Sequence, residues 1–146
     1  MATAMYNKGM EEIAKALTDL DGSDMRVLLV QSTYTFDKDH LWVDDGTSND
    51  PASHEVSVSG YARQALANES VNRDDANDEV VFTADSPTFA SLAAGQVISG
   101  MVVYRNSGAD GTSPLVAFIS LPNIATNGGD LPIVLSSAGL IRMVSG

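Results

Sequence analysis

The chain has 146 residues, of which 44% are hydrophobic and 18% charged, with no cysteine and a net charge of −11. That length and balance fit one globular domain, able to bury roughly two-thirds of its unfolded surface, and exclude wholesale disorder, a disulfide framework and thiolate chemistry. Nineteen acidic against eight basic residues exclude a nucleic-acid-binding surface, because phosphate backbones attract Lys and Arg and repel carboxylates.

In chain order, Met1 to Glu12 lacks the basic start and apolar run of a signal peptide. Tyr6, Met10, Ile13, Leu17 and Leu20 then recur at steps of four and three, which predicts one apolar helix face. Asn7 is the expected N-cap and Asp21-Gly22 the expected stop. Glu11 and Glu12 sit early, where the helix dipole favours negative charge, and Glu11 can pair with Lys15 one turn on. Residues 1–20 thus read as an N-terminal helical arm. Such a stripe packs on its own domain or, alternatively, on a neighbouring subunit.

After the arm the period changes. Met25–Gln31 is a compact run of β-branched and aliphatic residues, the pattern of a buried strand. Asp37–His54 is the longest irregular stretch and reads as a surface excursion, with Trp42 seating a small satellite core. Glu55–Ser59 alternates as a half-buried strand does, and Tyr61–Ala67 fits a strand or a short helix. Val80–Ala84, Val97–Arg105 and Leu115–Leu121 read as further strands. Leu131–Leu135 and Leu140–Val144 flank Ser136–Gly139, which predicts a terminal hairpin. Turn clusters at 44–51, 72–78, 106–113 and 123–130 separate these runs. The whole is expected to be a mainly β single domain over residues 1–146, a β-sandwich or small barrel with a short N-terminal helix.

Chemistry-bearing patterns are few. No nucleophile elbow, phosphate loop, dinucleotide fingerprint or zinc-protease motif is present. His40 and His54 are the two histidines, and no serine is marked as their nucleophile. Asp37, Asp39 and His40 could ligate a metal, but alternating carboxylates in a turn read as solvated. The run 74–79 is rich in Asp and Asn, yet lacks the spacing and central Gly of a calcium loop, and these residues also make turns by bonding their own backbone. Met5, Met10, Met25, Met101 and Met143 read as core filler. The apolar stretches Met101–Tyr104 and Leu115–Ile119 are far too short to span a membrane. The lone sequon at Asn68 reads as chance. Arg26, Arg63, Arg73, Arg105 and Arg142 are scattered singly, without a basic stripe. The acidity reads as solubility and mutual repulsion between copies, or as an acidic face left to solvent while a neutral face docks. No catalytic, cofactor-binding or metal residue is assigned, no cofactor is expected, and the chain is read as a non-enzyme.

The order of landmarks carries a resemblance. The chain opens Met1-Ala2-Thr3-Ala4-Met5-Tyr6-Asn7-Lys8-Gly9, continues with Arg26-Val27-Leu28-Leu29-Val30, then Tyr34-Thr35-Phe36-Asp37-Lys38-Asp39-His40. Ser59-Gly60-Tyr61-Ala62-Arg63, Phe82-Thr83-Ala84-Asp85 and Pro87-Thr88-Phe89 follow. The second half carries Val102-Val103-Tyr104-Arg105, Ser113-Pro114-Leu115-Val116-Ala117-Phe118-Ile119 and Asn127-Gly128-Gly129-Asp130. Along nearly its whole length this order resembles small structural proteins of tailed bacteriophages, although residues 46–54 look longer than that pattern. The resemblance implies a virion part made in the host bacterial cytoplasm. Specifically, it implies a trimeric capsid decoration (cement) protein on the capsid exterior, with the major capsid protein as partner and no nucleic acid or membrane contact. The arm over residues 1–20 would clasp a neighbour. The alternatives are a tail, connector or baseplate subunit, or a glycan-binding adhesin with an aromatic platform of Tyr34, Phe36 and Trp42. An enzyme reading would need two carboxyls facing each other across a cleft.

Overall fold

Both faces of Met25–Gln31 are buried, and the architecture follows from that. Met25, Val27 and Leu29 enter one core, while Leu28 and Val30 enter another on the opposite face. A strand covered on both sides needs apolar residues at successive positions, which is why this segment shows no alternation. The computed structural model describes residues 2–146. Its elements are β1 (Ala2–Met5), α1 (Asn7–Ala14), β2 (Met25–Gln31), β3 (Gln64–Ala65), β4 (Ser70–Asp74) and β5 (Glu79–Thr83). There follow β6 (Thr88–Phe89), β7 (Val97–Arg105), β8 (Leu115–Ala125), β9 (Leu131–Pro132) and β10 (Ile141–Val144).

The expected fold class holds: the protein is mainly β, a sandwich-like stack of antiparallel sheets with one short helix near the N-terminus. A five-stranded sheet runs β1-β8-β7-β2-β3, a three-stranded sheet β10-β5-β4, and a two-stranded sheet β6-β9. The larger core joins the inner face of the big sheet to Phe82 of β5, Phe89 of β6 and Ile141 of β10. The smaller core lies on the other face, where Tyr6, Tyr34, Val43, Tyr104 and Leu115 close under the irregular 34–54 stretch. Trp42 is half-buried and its backbone bridges to Pro114, but the residue of this stretch that enters the smaller core is Val43, not the expected Trp42. Residues 66–69 carry the chain directly from β3 to β4 and close one end of the sandwich. At the opposite end β1 and β10 border an open groove.

Several expectations are corrected. The first residues form a strand on β8, so Ala2–Met5 belongs to the sheet and the helix spans eight residues only. Tyr6 takes the cap position, and Asn7 is the first helical residue, its amide bonded to Asp39 at 2.6 Å. Ala16 adopts a left-handed φ of 55° beyond the helix end, and Leu17 behind it is 57% exposed, while Met10 within the helix is 47% exposed. Of the expected stripe, Tyr6 and Leu20 are buried and Ile13 packs partly buried on the main core, while Gly9 and Glu12 take the buried places that Met10 and Leu17 do not fill. Gly9 sits so close to β8 that a Cβ there would lie 2.6 Å from Val116 Cα, so no larger residue fits the contact. Glu11 and Glu12 serve ion pairs in the second turn, and the expected Glu11–Lys15 pair forms.

Glu55–Ser59 makes only one bridge, Val30 to Glu55, although Val56 is buried and Val58 half-buried as the alternation implied. β3 shortens 61–67 to two paired residues, and β4 occupies part of the expected 72–78 turn. β8 runs four residues beyond Leu121. No terminal hairpin forms. Ser136–Gly139 does turn, with Gly139 at φ +116° donating to Ser136 O at 3.0 Å. The flanking strands take other partners: β9 pairs with β6, and β10 with β5. Pro132 has no N–H for a ladder, while Ile133, Leu140 and Ile141 gain burial in the main core.

Candidate functional site

The cations show how this chain uses its polar groups. Each of the eight Lys and Arg side chains lies within 4 Å of a carboxylate: Lys8, Lys15, Arg26, Lys38, Arg63, Arg73, Arg105 and Arg142. Eight of the nineteen carboxylates are engaged this way, and among the described residues the other eleven have no Lys or Arg within 4 Å. The surface therefore carries the full excess of negative charge and offers no unpaired Lys or Arg to an anionic ligand.

Arg63 is the most elaborate case. Its Nε and Nη2 donate to Glu55 at 2.7 and 2.6 Å, and its Nη1 and Nη2 donate to Asp110 at 2.7 and 2.8 Å. The guanidinium also lies over the Tyr104 ring, 5.6 Å from its centroid. Glu55 accepts a further bond from the Tyr61 hydroxyl at 2.8 Å, and that hydroxyl accepts from Leu29 N–H at 3.1 Å. Three loops and strand β2 are thereby joined through one planar cation. Bonding to both carboxylates pushes the Arg63 pKa up, and the Arg63 bonds hold Asp110 below the usual carboxylate range.

Glu12 forms a second clamp. Although buried, it meets Lys8 at 3.1 Å and Arg105 at 3.1 Å, while Arg105 also donates to Thr18 at 2.9 Å. Burial raises the Glu12 pKa, but the bonds from Lys8 and Arg105 outweigh it and the net shift is downward. This clamp ties α1 to the end of β7.

The loops use carboxylates as backbone caps. Asp45 accepts from Leu41 and Trp42 N–H, each at 3.1 Å, and Asp50 accepts from Thr47 and Ser53 N–H at 3.1 and 2.8 Å. Asp74 accepts from Ala76 and Asn77 N–H, so the 74–79 run makes a turn by bonding its own backbone. Among the described residues, no group of three or more His, Asp or Glu side chains is placed to hold a metal. A groove of about 240 Å³ beside this turn is lined by Arg73, Asp74, Asp75, Asp78 and Glu79.

The candidate aromatic platform is not assembled. Tyr34 is buried and its hydroxyl lies 2.8 Å from that of Tyr6. Phe36 stacks on Phe118 with centroids 5.2 Å apart. Trp42 stands apart from them under Lys8 Nζ, 4.8 Å from its ring centroid. The histidines are similarly engaged. His40 Nδ1 lies 3.4 Å from the Tyr34 hydroxyl, and His54 bridges the Thr33 hydroxyl and the Ser48 carbonyl at 2.8 and 3.0 Å. Asp37 approaches His40 at 4.0 Å, whereas Asp39 turns to Lys38 and Asn7.

The clamps escaped the sequence reading because their partners are distant in sequence. Arg63 and Asp110 are 47 residues apart, and Arg105 and Glu12 are 93 apart. The one available signal was the ratio of charges: with so few cations among so many carboxylates, every cation has acidic neighbours within reach. No family model matches the chain, and no curated protein or solved structure matches it.

Proposed function

We propose that this protein is a structural component of a bacteriophage virion that decorates the outer capsid surface and braces the junctions between major capsid subunits. The observation that carries this reading is the complete pairing of its cations. A surface with eleven uncompensated carboxylates and no unpaired Lys or Arg is suited to face solvent and to avoid packaged DNA. The Arg63 and Glu12 clamps support the same reading, since they stiffen loops that would otherwise be compliant in a load-bearing part. The reading starts from the order of landmarks that resembles small phage structural proteins, and these features accord with it.

The test is to locate and count the protein in purified particles. Many copies tiling the shell, and a fall in capsid heat resistance when they are stripped and its recovery on re-addition, are the expected results. A few copies confined to one vertex or to the tail would replace the reading with a connector or tail subunit. Absence from particles would remove the virion reading altogether.

A further inference from the structure

Over Ala2–Met5 the outer edge of β1 has no partner strand, and among the described residues it differs from the other sheet edges. Past the strand, Asn7 N–H donates to Lys38 O at 2.9 Å and the Asn7 side chain to Asp39 at 2.6 Å, so the open edge ends there. Tyr6 N–H donates to Val116 O at 3.1 Å, continuing the register that pairs Ala4 with Phe118 and Ala2 with Ser120. Backbone groups alternate in direction along an antiparallel strand, so Ala2, Ala4 and Tyr6 point theirs at β8. The N–H and C=O of Thr3 and Met5 therefore point away from the sheet. The remaining edges are blunted in ordinary ways. β3, β6 and β9 are two residues long, β4 carries Arg73 and Asp74, and β10 carries Arg142. β1 reads Ala-Thr-Ala-Met, with neither charge nor proline.

Beside this edge lies the open end of the sandwich, a groove of about 320 Å³ bordered by Thr3, Met5, Ser136, Leu140, Ile141 and Arg142. None of its lining residues is a carboxylate, in a chain where carboxylates exceed cations by eleven. Two copies of so acidic a chain repel over most of their surfaces, and they approach at least cost where carboxylates are missing.

We propose that β1 is a self-association edge: two copies pair β1 with β1, antiparallel, about a two-fold axis at Ala4. The residues with outward backbone groups, Thr3 and Met5, flank Ala4 symmetrically, so Thr3 of each copy meets Met5 of the other in a reciprocal hydrogen-bonded pair. The edge is self-complementary, as an isologous contact requires. The two five-stranded sheets become one continuous ten-stranded sheet. Four residues bury little area by the standard of stable dimers, so the dimer is weak and concentration-dependent. Added salt strengthens it by screening the repulsion between two acidic chains. This two-fold pairing takes the place of the trimer that the resemblance implies, and it does not depend on the virion reading.

Sedimentation of the full chain over a range of concentrations, at low and high salt, tests the proposal. The expected result is a monomer–dimer equilibrium that salt shifts toward dimer. Thr3→Pro removes one outward N–H and leaves the β8 ladder intact, since the N–H of residue 3 does not face β8. It should weaken the dimer about tenfold or more, for the loss of two symmetry-related hydrogen bonds at about 1 kcal/mol each. Amide exchange on the unaltered protein gives a second reading that requires no variant. Thr3 and Met5 amides should exchange more slowly as concentration rises, while the Ala4 amide, already bonded to β8, should not change. A monomer at every concentration and salt level overturns the proposal, as does a trimer. So does a dimer that a folded Thr3→Pro variant retains. If that variant does not fold, exchange rates of Thr3 and Met5 that are independent of concentration overturn it.

Discussion

The Tyr6 hydroxyl lies 2.8 Å from the Tyr34 hydroxyl, inside the smaller core, and joins the N-terminal segment to the start of the irregular 34–54 stretch. Tyr6 is fully buried and Tyr34 nearly so. Tyr6→Phe keeps the ring and removes the bond, leaving Tyr34 only its 3.4 Å approach to His40. The expected cost is about 1 kcal/mol, or roughly 2–4 °C in melting temperature for a chain of this size. Calorimetry of the two proteins at one pH measures it.

Arg63 holds two carboxylates that come from different loops. Arg63→Met leaves Glu55 and Asp110 without their cation, at an expected cost of about 2–3 kcal/mol, reduced for Asp110 because water reaches it. Arg63→Lys keeps the charge but cannot present two forks, so it should recover less than half of the loss. Urea midpoints of the two variants decide this. Equal stability of Arg63→Lys and the parent would show that charge alone matters.

Gly9 supports the closest approach of α1 to the sheet. Gly9→Ala should gain up to about 1 kcal/mol in helix propensity. Its methyl group would however meet Val116 Cα at 2.6 Å, a backbone contact that cannot rotate away. Overpacking of this kind costs about 1–3 kcal/mol, so the net effect should be destabilising. A denaturant melt that shows Gly9→Ala to be more stable would contradict the packing described for α1.

Acid should weaken the fold through the loop caps and clamps. Arg26 and Asn106 hold Asp24 below the usual carboxylate range, and Arg63 does the same to Asp110. In Asp50 burial acts upward, but bonds from Ser53 and Thr47 prevail and the net shift is downward. A depressed folded pKa contributes stability that is complete above the unfolded value of about 4 and drains away as pH falls through the folded value. Unfolding free energy should therefore fall below about pH 4. A second set of melts with Asp110→Asn should show a shallower decline.

Alkali should act through the tyrosines. Burial pushes up the pKa of all four, helped by Tyr34 at Tyr6 and by the Glu55 charge at Tyr61, and opposed in part by Arg63 at Tyr104. Tyr34 is pushed up to about 12. A raised folded pKa gives stability that is complete below the unfolded value of about 10 and is lost as pH climbs through the folded values. Phenolate absorbance should stay flat through about pH 10 in the folded protein and then rise together with loss of structure. A gradual rise centred near the free-tyrosine value would place one or more rings in solvent.

The strands whose burial is continuous were legible in the sequence. Met25–Gln31 and Val97–Arg105 have the bounds their composition implied, because an apolar run of that length is stable only where both faces are covered. The mainly β class and the turn-rich loops follow from the same local patterns. The acidity was also plain, but its use was not. Asp45, Asp50 and Asp74 cap backbone N–H groups, which depends on where a loop folds back. Local period reports which positions are buried and is silent on which segment does the burying. Leu131–Leu135 and Leu140–Val144 have the pattern of a hairpin, yet β6 and β5 offered them better partners within the main core. The helix shows a comparable effect: Tyr6, Ile13 and Leu20 of the apolar stripe reach the cores, but contacts to β8 and Arg105 bury Gly9 and Glu12 where the period pointed to Met10 and Leu17. Partner choice is a sum over residues far apart in the chain, so only the tertiary structure decided the ion clamps, the strand order and the open edge of β1.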